Sequence, residues 1–229
     1  MEILYEDNHF IAINKPPSEI VQGDKTGDSP LSEKLKQYIK EKYNKPGDVF
    51  LGVPHRIDRP VSGVLLFAKT GKALGRINEM FRNKEVKKTY WAVVGNRPPA
   101  EAGQLVHYLR KNQQANVSRA YEKEVPDSKK AELEYLLKAT SENYFLLEVY
   151  PHTGRHHQIR AQLSAIGCPI RGDVKYGAKR PNADLSIHLH ALRMEFMHPV
   201  KKTVVRISCP PPAGDALWRA FAAQLDRPE

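Results

Sequence analysis

Cysteine is nearly absent: Cys168 and Cys209 are the two that 229 residues contain. They lie far apart with no Cys-x-x-Cys spacing, which argues against a disulfide scaffold or a zinc ribbon and fits a reducing compartment. No apolar run approaches the ~20 residues that cross a bilayer. The first residues turn polar at once and carry no signal-peptide pattern. A soluble, cytoplasmic protein with no membrane partner is expected. There is no Walker loop, no Gly-x-Gly-x-x-Gly fingerprint, no solenoid repeat and no low-complexity tract. Acidic charge is the scarce sign, 26 Asp and Glu against 36 Lys and Arg, for a formal charge of +10. Such an excess points to an acidic partner, most commonly the phosphates of nucleic acid, although a merely basic soluble protein fits the charge equally well.

What is present reads as strands with interspersed helices, hence α+β. Residues 3–14 form a strand pair with Ile11 and Ile13 on one face. Ser29 is expected to cap a helix with Pro30 at its first position. Leu31, Leu35, Tyr38 and Ile39 form its inner face, and Lys34, Lys36, Lys40 and Lys42 its wet one. Ala73, Leu74, Ile77, Met80 and Phe81 mark a second amphipathic helix. Residues 89–94 are a strand, and the polar segment 96–130 is expected to be loops and short strands. Its Arg110, Lys111 and Arg119 are within reach of RNA, although a mobile surface loop is the plainer reading. Ala131 to Leu137 alternates and pairs with residues 144–150. Gly154 precedes a helix with Ile159, Leu163 and Ile166 inside, ended by Gly167. Residues 186–196 and 203–208 suggest a hairpin around His198-Pro199, and Leu217, Phe221 and Leu225 a last helix.

The most informative stretch is His55-Arg56-Ile57-Asp58-Arg59-Pro60-Val61-Ser62-Gly63, which runs into the apolar residues 64–68. It sets one carboxylate between two arginines on a turn before a buried strand, and loops held by rigid strands are where catalytic groups tend to sit. The neighbouring positive charges favour an ionised Asp58. An ionised, positioned carboxylate in a basic setting is a candidate nucleophile acting on an anionic polymer.

This stretch resembles the signature of the RluA-type pseudouridine synthases, His-Arg-Leu-Asp-x-x-Thr-Ser-Gly before an apolar strand. Ile57 stands for the Leu, and Val61 stands for the Thr, which removes one hydroxyl. Further motifs follow the family's order. Residues 5–17 resemble its opening strand and Lys-Pro turn, and Lys87 to Val94 the strand of the active-site Tyr. Thr153 to Leu163 resembles Gly-Arg-x-His-Gln-Ile-Arg, and His190 to Pro199 a late strand. Together they run from residue 3 to about 210. The resemblance implies a mixed, mainly antiparallel sheet with flanking helices and a central active-site cleft. It also implies one catalytic domain over residues 1–229. Because the motifs begin at residue 3, no N-terminal S4-type RNA-binding domain is expected. A monomer is expected.

The implied reaction breaks the N1–C1′ bond of a uridine in rRNA or tRNA, turns the uracil and rejoins it through C5. It is an isomerisation, so no cofactor and no metal are required. Asp58 falls on the catalytic carboxylate, as nucleophile at C1′ or base at C2′, with precedent in the carboxylates of glycosyl transfer. By resemblance Arg160 pairs with that carboxylate through its planar fork, and the Tyr90 ring stacks on uracil with its hydroxyl near the C5 proton. Trp91 points to the opposite face of the strand and reads as core. Arg56 is implied to fill the stack when the base flips out. Arg59 is expected to contact phosphate, with Lys88 another such contact outside the pocket. His55, Arg155, His157 and Gln158 stand with them as substrate-binding candidates.

Two other classes compete. His152, His156, His157, His188 and His190 suggest a metal-dependent nuclease or phosphohydrolase. The i, i+4 pair His152 and His156, however, is interrupted by the turn residues Thr153-Gly154, and chelator sensitivity separates this reading. A non-catalytic RNA-binding protein is the other, and pure binding does not need Asp58, Tyr90 and Arg160 together.

Overall fold

The computed structural model describes residues 1–23 and 27–225. The chain forms two compact units, Met1–Val86 with Arg193–Cys209, and Lys87–Leu192 with the stretch from Pro210 onward. The fold class is α+β, as expected, with mainly antiparallel strands and four α-helices among the described residues.

In the first unit β1 (Glu2–Glu6) pairs with β2 (Phe10–Lys15), and β2 with β3 (Ser62–Ala68), all antiparallel. The later strands β9 (Leu189–Met197, from Arg193 in this unit) and β10 (Val204–Ser208) form the expected hairpin. Every residue of β3 is buried, the continuous apolar pattern of a strand covered on both faces. One face of β2 and β3, Phe10, Ala12, Val64 and Leu66, packs with Ala73, Ile77 and Met80 of α2 (Gly71–Arg82), and with Met194, Phe196, Val205 and Ile207. The other face, Ile11, Ile13, Leu65 and Phe67, is completely buried as well. Thr70 caps α2 by accepting from the Ala73 amide, the ordinary N-cap device.

The helix α1 (Leu31–Lys42) buries Leu31, Ser32, Leu35 and Ile39. Its cap differs from the sequence expectation. Pro30 occupies the N-cap and no side chain bonds there. The amides of Leu31 and Ser32 instead donate to the carbonyls of Ile20 and Val21, so backbone from the preceding loop satisfies the helix's open donors and Ser29 is not needed.

In the second unit the strand order is β4 (Lys87–Val94), β8 (Phe145–Pro151), β7 (Lys129–Thr140), β5 (Ala102–Asn112), β6 (Val117–Tyr121). Here the expectation for segment 96–130 is corrected: it contains an 11-residue strand, β5, folded against β6 and β7 in a regular ladder. The helix α3 (Gln158–Ala165) covers one face, with Ala161 packed beside Leu109, Ala131 and Tyr176. Ile166 falls just past the helix end, followed by Gly167 at positive φ. The helix α4 (Ala216–Leu225) puts Trp218 and Phe221 against Val93 and Leu146. Trp91 packs against the same cluster, as core.

Candidate active-site residues

Asp58 sits in a turn closed by the Val61 amide donating to the Asp58 carbonyl, 3.0 Å. Ile57 and Val61 are buried on either side of it, while Asp58 is half-buried and Arg56 and Arg59 are exposed. Gly63, the last motif residue, has φ +116° where β3 begins, a conformation open to glycine and strained for other residues.

The loop is fixed through its main chain. Lys15, the last residue of β2, is completely buried. Its ammonium donates to the carbonyls of Val61 (2.8 Å), Pro16 (2.9 Å) and Arg59 (3.1 Å). Burial pushes the Lys15 amine down to about 8, with the nearby charges of Glu19 and Asp58 acting the other way, so it remains an ammonium at pH 7. Three donors meet three acceptors, which is how a buried charge is made tolerable. The sequence reading missed this role. Its only signal is a lysine closing an apolar strand before Pro16-Pro17. Ser18, at φ +70°, donates its amide to the Arg59 carbonyl, and Arg59 Nε returns a bond to the Ser18 carbonyl. The Arg59 head also pairs with Asp28 at 2.8 Å. His55 faces inward: its Nε2 accepts from the Leu66 amide of β3, which puts the ring proton on Nδ1, and the ring lies 5.2 Å from that of Phe81.

In the second unit the motif residues are fixed through side chains. Gln158 accepts from the Thr153 hydroxyl and from the Arg155 amide, and donates to the Glu132 carbonyl. That ties the turn before α3 to β7. His157 precedes α3 in the left-handed region, φ +52°, and its Nδ1 meets the Tyr176 hydroxyl at 2.9 Å. Arg155 is exposed, with Nε on the Lys130 carbonyl. Arg160 is buried and forks onto Asp173: Nε to Oδ2 at 2.7 Å, and Nη2 to Oδ1 at 2.8 Å. The Tyr176 ring lies 4.9 Å from the guanidinium. Asp173 was not visible as a partner in the sequence. Tyr90 is half-buried on β4, opposite Val149. Lys88 lies two residues before it on the same strand face, near Gly154, and burial holds its amine below the usual lysine range. Lys88 is thus half-buried.

The suspected histidines do not gather around a metal among the described residues. His156 meets Ser118, His152 pairs with Glu134, and His188 stacks on Trp218. The potential ligand group there is Asp7, His9 and His198. Asp7 already accepts from Tyr5, the amides of His9 and Phe10, Lys201 and His198. His198 Nδ1 accepts from the amides of Val200 and Lys201. Asp7 and His198 thus form a hydrogen-bonded clamp, while His9 Nδ1 is buried without a hydrogen-bond partner among the described residues.

Residues 9–165 match the sequence model of a family described as RNA pseudouridylate synthase. The chain is 38% identical over 178 residues to a ribosomal large subunit pseudouridine synthase C of Rickettsia prowazekii, covering 77% of this chain and 56% of that one. It is 33% identical over 214 residues to the protein of that name from Vibrio cholerae, covering 91% and 65%. It is 32% identical over 224 residues to a tRNA pseudouridine synthase C of Pasteurella multocida, covering 90% of each. The chain thus spans less than two thirds of the length of the two ribosomal relatives. Two solved structures share the fold. Human RNA Pseudouridylate Synthase Domain Containing 4 has a TM-score of 0.80 at 22% identity, over 100% of this chain and 95% of that one. Human RNA Pseudouridylate Synthase Domain Containing 1 has 0.71 at 21%, over 99% and 96%. With the motifs standing on ordered strands, turns and a helix, the chain belongs to the RNA pseudouridylate synthase family, in its RluA type.

Proposed function

We propose that this protein is an RNA pseudouridine synthase that isomerises a specific uridine in rRNA or tRNA, acting as a monomer in the cytoplasm with one catalytic domain. The observation that carries this reading is the mounting of Asp58. Lys15 holds its loop through the carbonyl oxygens of Arg59 and Val61, which fixes the backbone that presents the carboxylate. Preorganisation of that kind is what a reacting group needs.

In this reading Asp58 attacks C1′ or removes the C2′ proton, and uracil leaves, turns and rejoins through C5. Tyr90 stacks on the base and manages the C5 proton, and Arg160 is the arginine that the family resemblance assigns to the catalytic carboxylate. Arg56, exposed on the same loop, fills the stack vacated by the flipped uridine. Arg59, His55, Arg155, His157 and Gln158 serve substrate binding, the last three by shaping the turn before α3. The charge of +10 fits attraction to phosphate. The relatives' names divide between ribosomal and transfer RNA, and the test decides between them. Pseudouridines are mapped in total RNA from cells with and without the gene. Loss of one position, restored by the wild-type gene, identifies activity and substrate together; an unchanged map contradicts the reading.

A further inference from the structure

The β5–β6 hairpin carries a surface that the proposed reaction does not use. Tyr108 stands directly opposite Tyr121, and Arg110 directly opposite Arg119. Directly opposed residues of an antiparallel pair share a face, and like charges in that position destabilise a sheet. Both arginines are exposed, and among the described residues neither pairs with a carboxylate. Each guanidinium lies 5.4 Å from the centre of the Tyr121 ring, and Arg110 Nη2 donates to the Tyr121 hydroxyl at 3.0 Å. Lys130, across from Tyr108, is paired with Glu132, so the net positive charge of this face comes from the two arginines.

Alternation along the strands separates this surface from Tyr90. Leu109 and Ala120 point to the side covered by α3, so Tyr108, Arg110, Arg119 and Tyr121 point away from it. Register links Tyr90 to Val149, Tyr135 and Gly103, and Gly103 shares the side of Leu109. Tyr90 is therefore on the α3 side and the arginine–tyrosine group on the other, beside the edge strand β6.

We propose that this face is a second RNA-docking surface, which takes a single-stranded segment flanking the target uridine. The two guanidiniums fork onto backbone phosphate, and a base stacks with the opposed tyrosines, the combination by which proteins grip unpaired strands. An anion there offsets the repulsion between Arg110 and Arg119. The inference rests on RNA being the substrate.

The test measures binding of a fluorescein-labelled 20-nucleotide oligouridylate over a range of KCl concentrations, with thermal melting alongside. R110Q/R119Q is expected to reduce the log–log salt slope by about 1.4, two phosphates at ~0.7 each. Its melting temperature should stay near wild type, because relief of the like-charge pair is set against loss of the exposed contacts to Tyr121. Y108A/Y121A is expected to weaken binding roughly tenfold or more at an unchanged slope. On the mapped RNA, R110Q/R119Q should raise KM and leave kcat intact. Wild-type slope and affinity in R110Q/R119Q overturn the surface, as does a clear loss of melting temperature, which would make the arginines structural. A wild-type protein that converts no uridine contradicts the proposed activity, while the oligouridylate slope still reports on the surface.

Discussion

The Asp58 loop of the first unit and the turn into α3 of the second are both rigidly mounted, by opposite means. Around Asp58 the fixing bonds go to main-chain carbonyls: Lys15 reaches three of them, and Ser18 and Arg59 exchange two more bonds. Around α3 the fixing bonds are made by the motif side chains themselves, Gln158 to Thr153 and the Glu132 carbonyl, and Arg160 to Asp173. A loop anchored at its carbonyls keeps those anchors whichever side chain it presents. A segment held by its side chains couples structure to every residue it presents. The same family signature therefore contains residues whose loss should show in chemistry alone and residues whose loss should show in folding as well.

The largest effect on stability is expected from breaking the Arg160–Asp173 pair. Asp173→Ala leaves a buried guanidinium without that partner and should cost about 3–5 kcal/mol, read from urea unfolding. A cost below about 1 kcal/mol would show that α3 is not held as described. Next comes Lys15→Met, which deprives three inward-facing carbonyls of their donor. At roughly 1–3 kcal/mol for a buried polar group left unsatisfied, a loss near 3 kcal/mol is expected, with turnover falling further than stability accounts for. Full turnover in Lys15→Met would remove the backbone mounting from the account.

Acid should act on the two units through different groups. Burial lowers the pKa of His198 in the first unit and of His188 in the second, with Asp7 and Asp215 opposing it. Both rings fold neutral. Their contribution is fully present above the unfolded value of about 6.5 and is lost as pH falls through their folded values. Asp7 and Glu6 behave as depressed carboxylates. Burial raises both, but bonds from Lys201 and two amides hold Asp7 well below its usual range, and Lys42, Lys69 and Tyr43 bring Glu6 to about 2. Their share persists until pH drops below about 4. Urea midpoints should therefore fall in two steps, below pH 6.5 and below pH 4. In His198→Gln the first step should shrink; an unaltered first step would assign it to other groups. The smallest effect is expected at Arg59→Gln. Its ion pair with Asp28 is about half exposed on both sides and its Nε bond to the Ser18 carbonyl is exposed too, so unfolding free energy should change by less than about 1 kcal/mol.

Most of the scaffold was legible because its signals are local. The apolar run of β3, the helical spacing of Ala73, Ile77 and Met80, and the alternation in β7 each report burial directly. The β5–β6 hairpin was not legible. In β5 only Leu105 and Leu109 are buried, spaced by four, while Val106 is exposed, so neither strand nor helix periodicity emerges. The start of α1 was misplaced because its capping carbonyls come from Ile20 and Val21, backbone partners that no residue type announces. The candidate site divides in the same way. Asp58, Tyr90 and Arg160 are carried by motifs. Lys15 reaches carbonyls 44 and 46 residues away, and Asp173 meets Arg160 from a loop outside every motif, so both partnerships are products of the fold.

The most direct measurement is the rate of pseudouridine formation by Asp58→Asn on the mapped RNA, with melting temperature and RNA affinity measured on the same preparation. Asn preserves size and removes the charge, and the bonds from Lys15 to the loop carbonyls do not involve the Asp58 side chain. The rate should fall by roughly 10⁴-fold or more, as when a nucleophile is deleted, with folding and affinity close to wild type. Turnover near the wild-type rate would contradict the assignment of Asp58 as the reacting carboxylate.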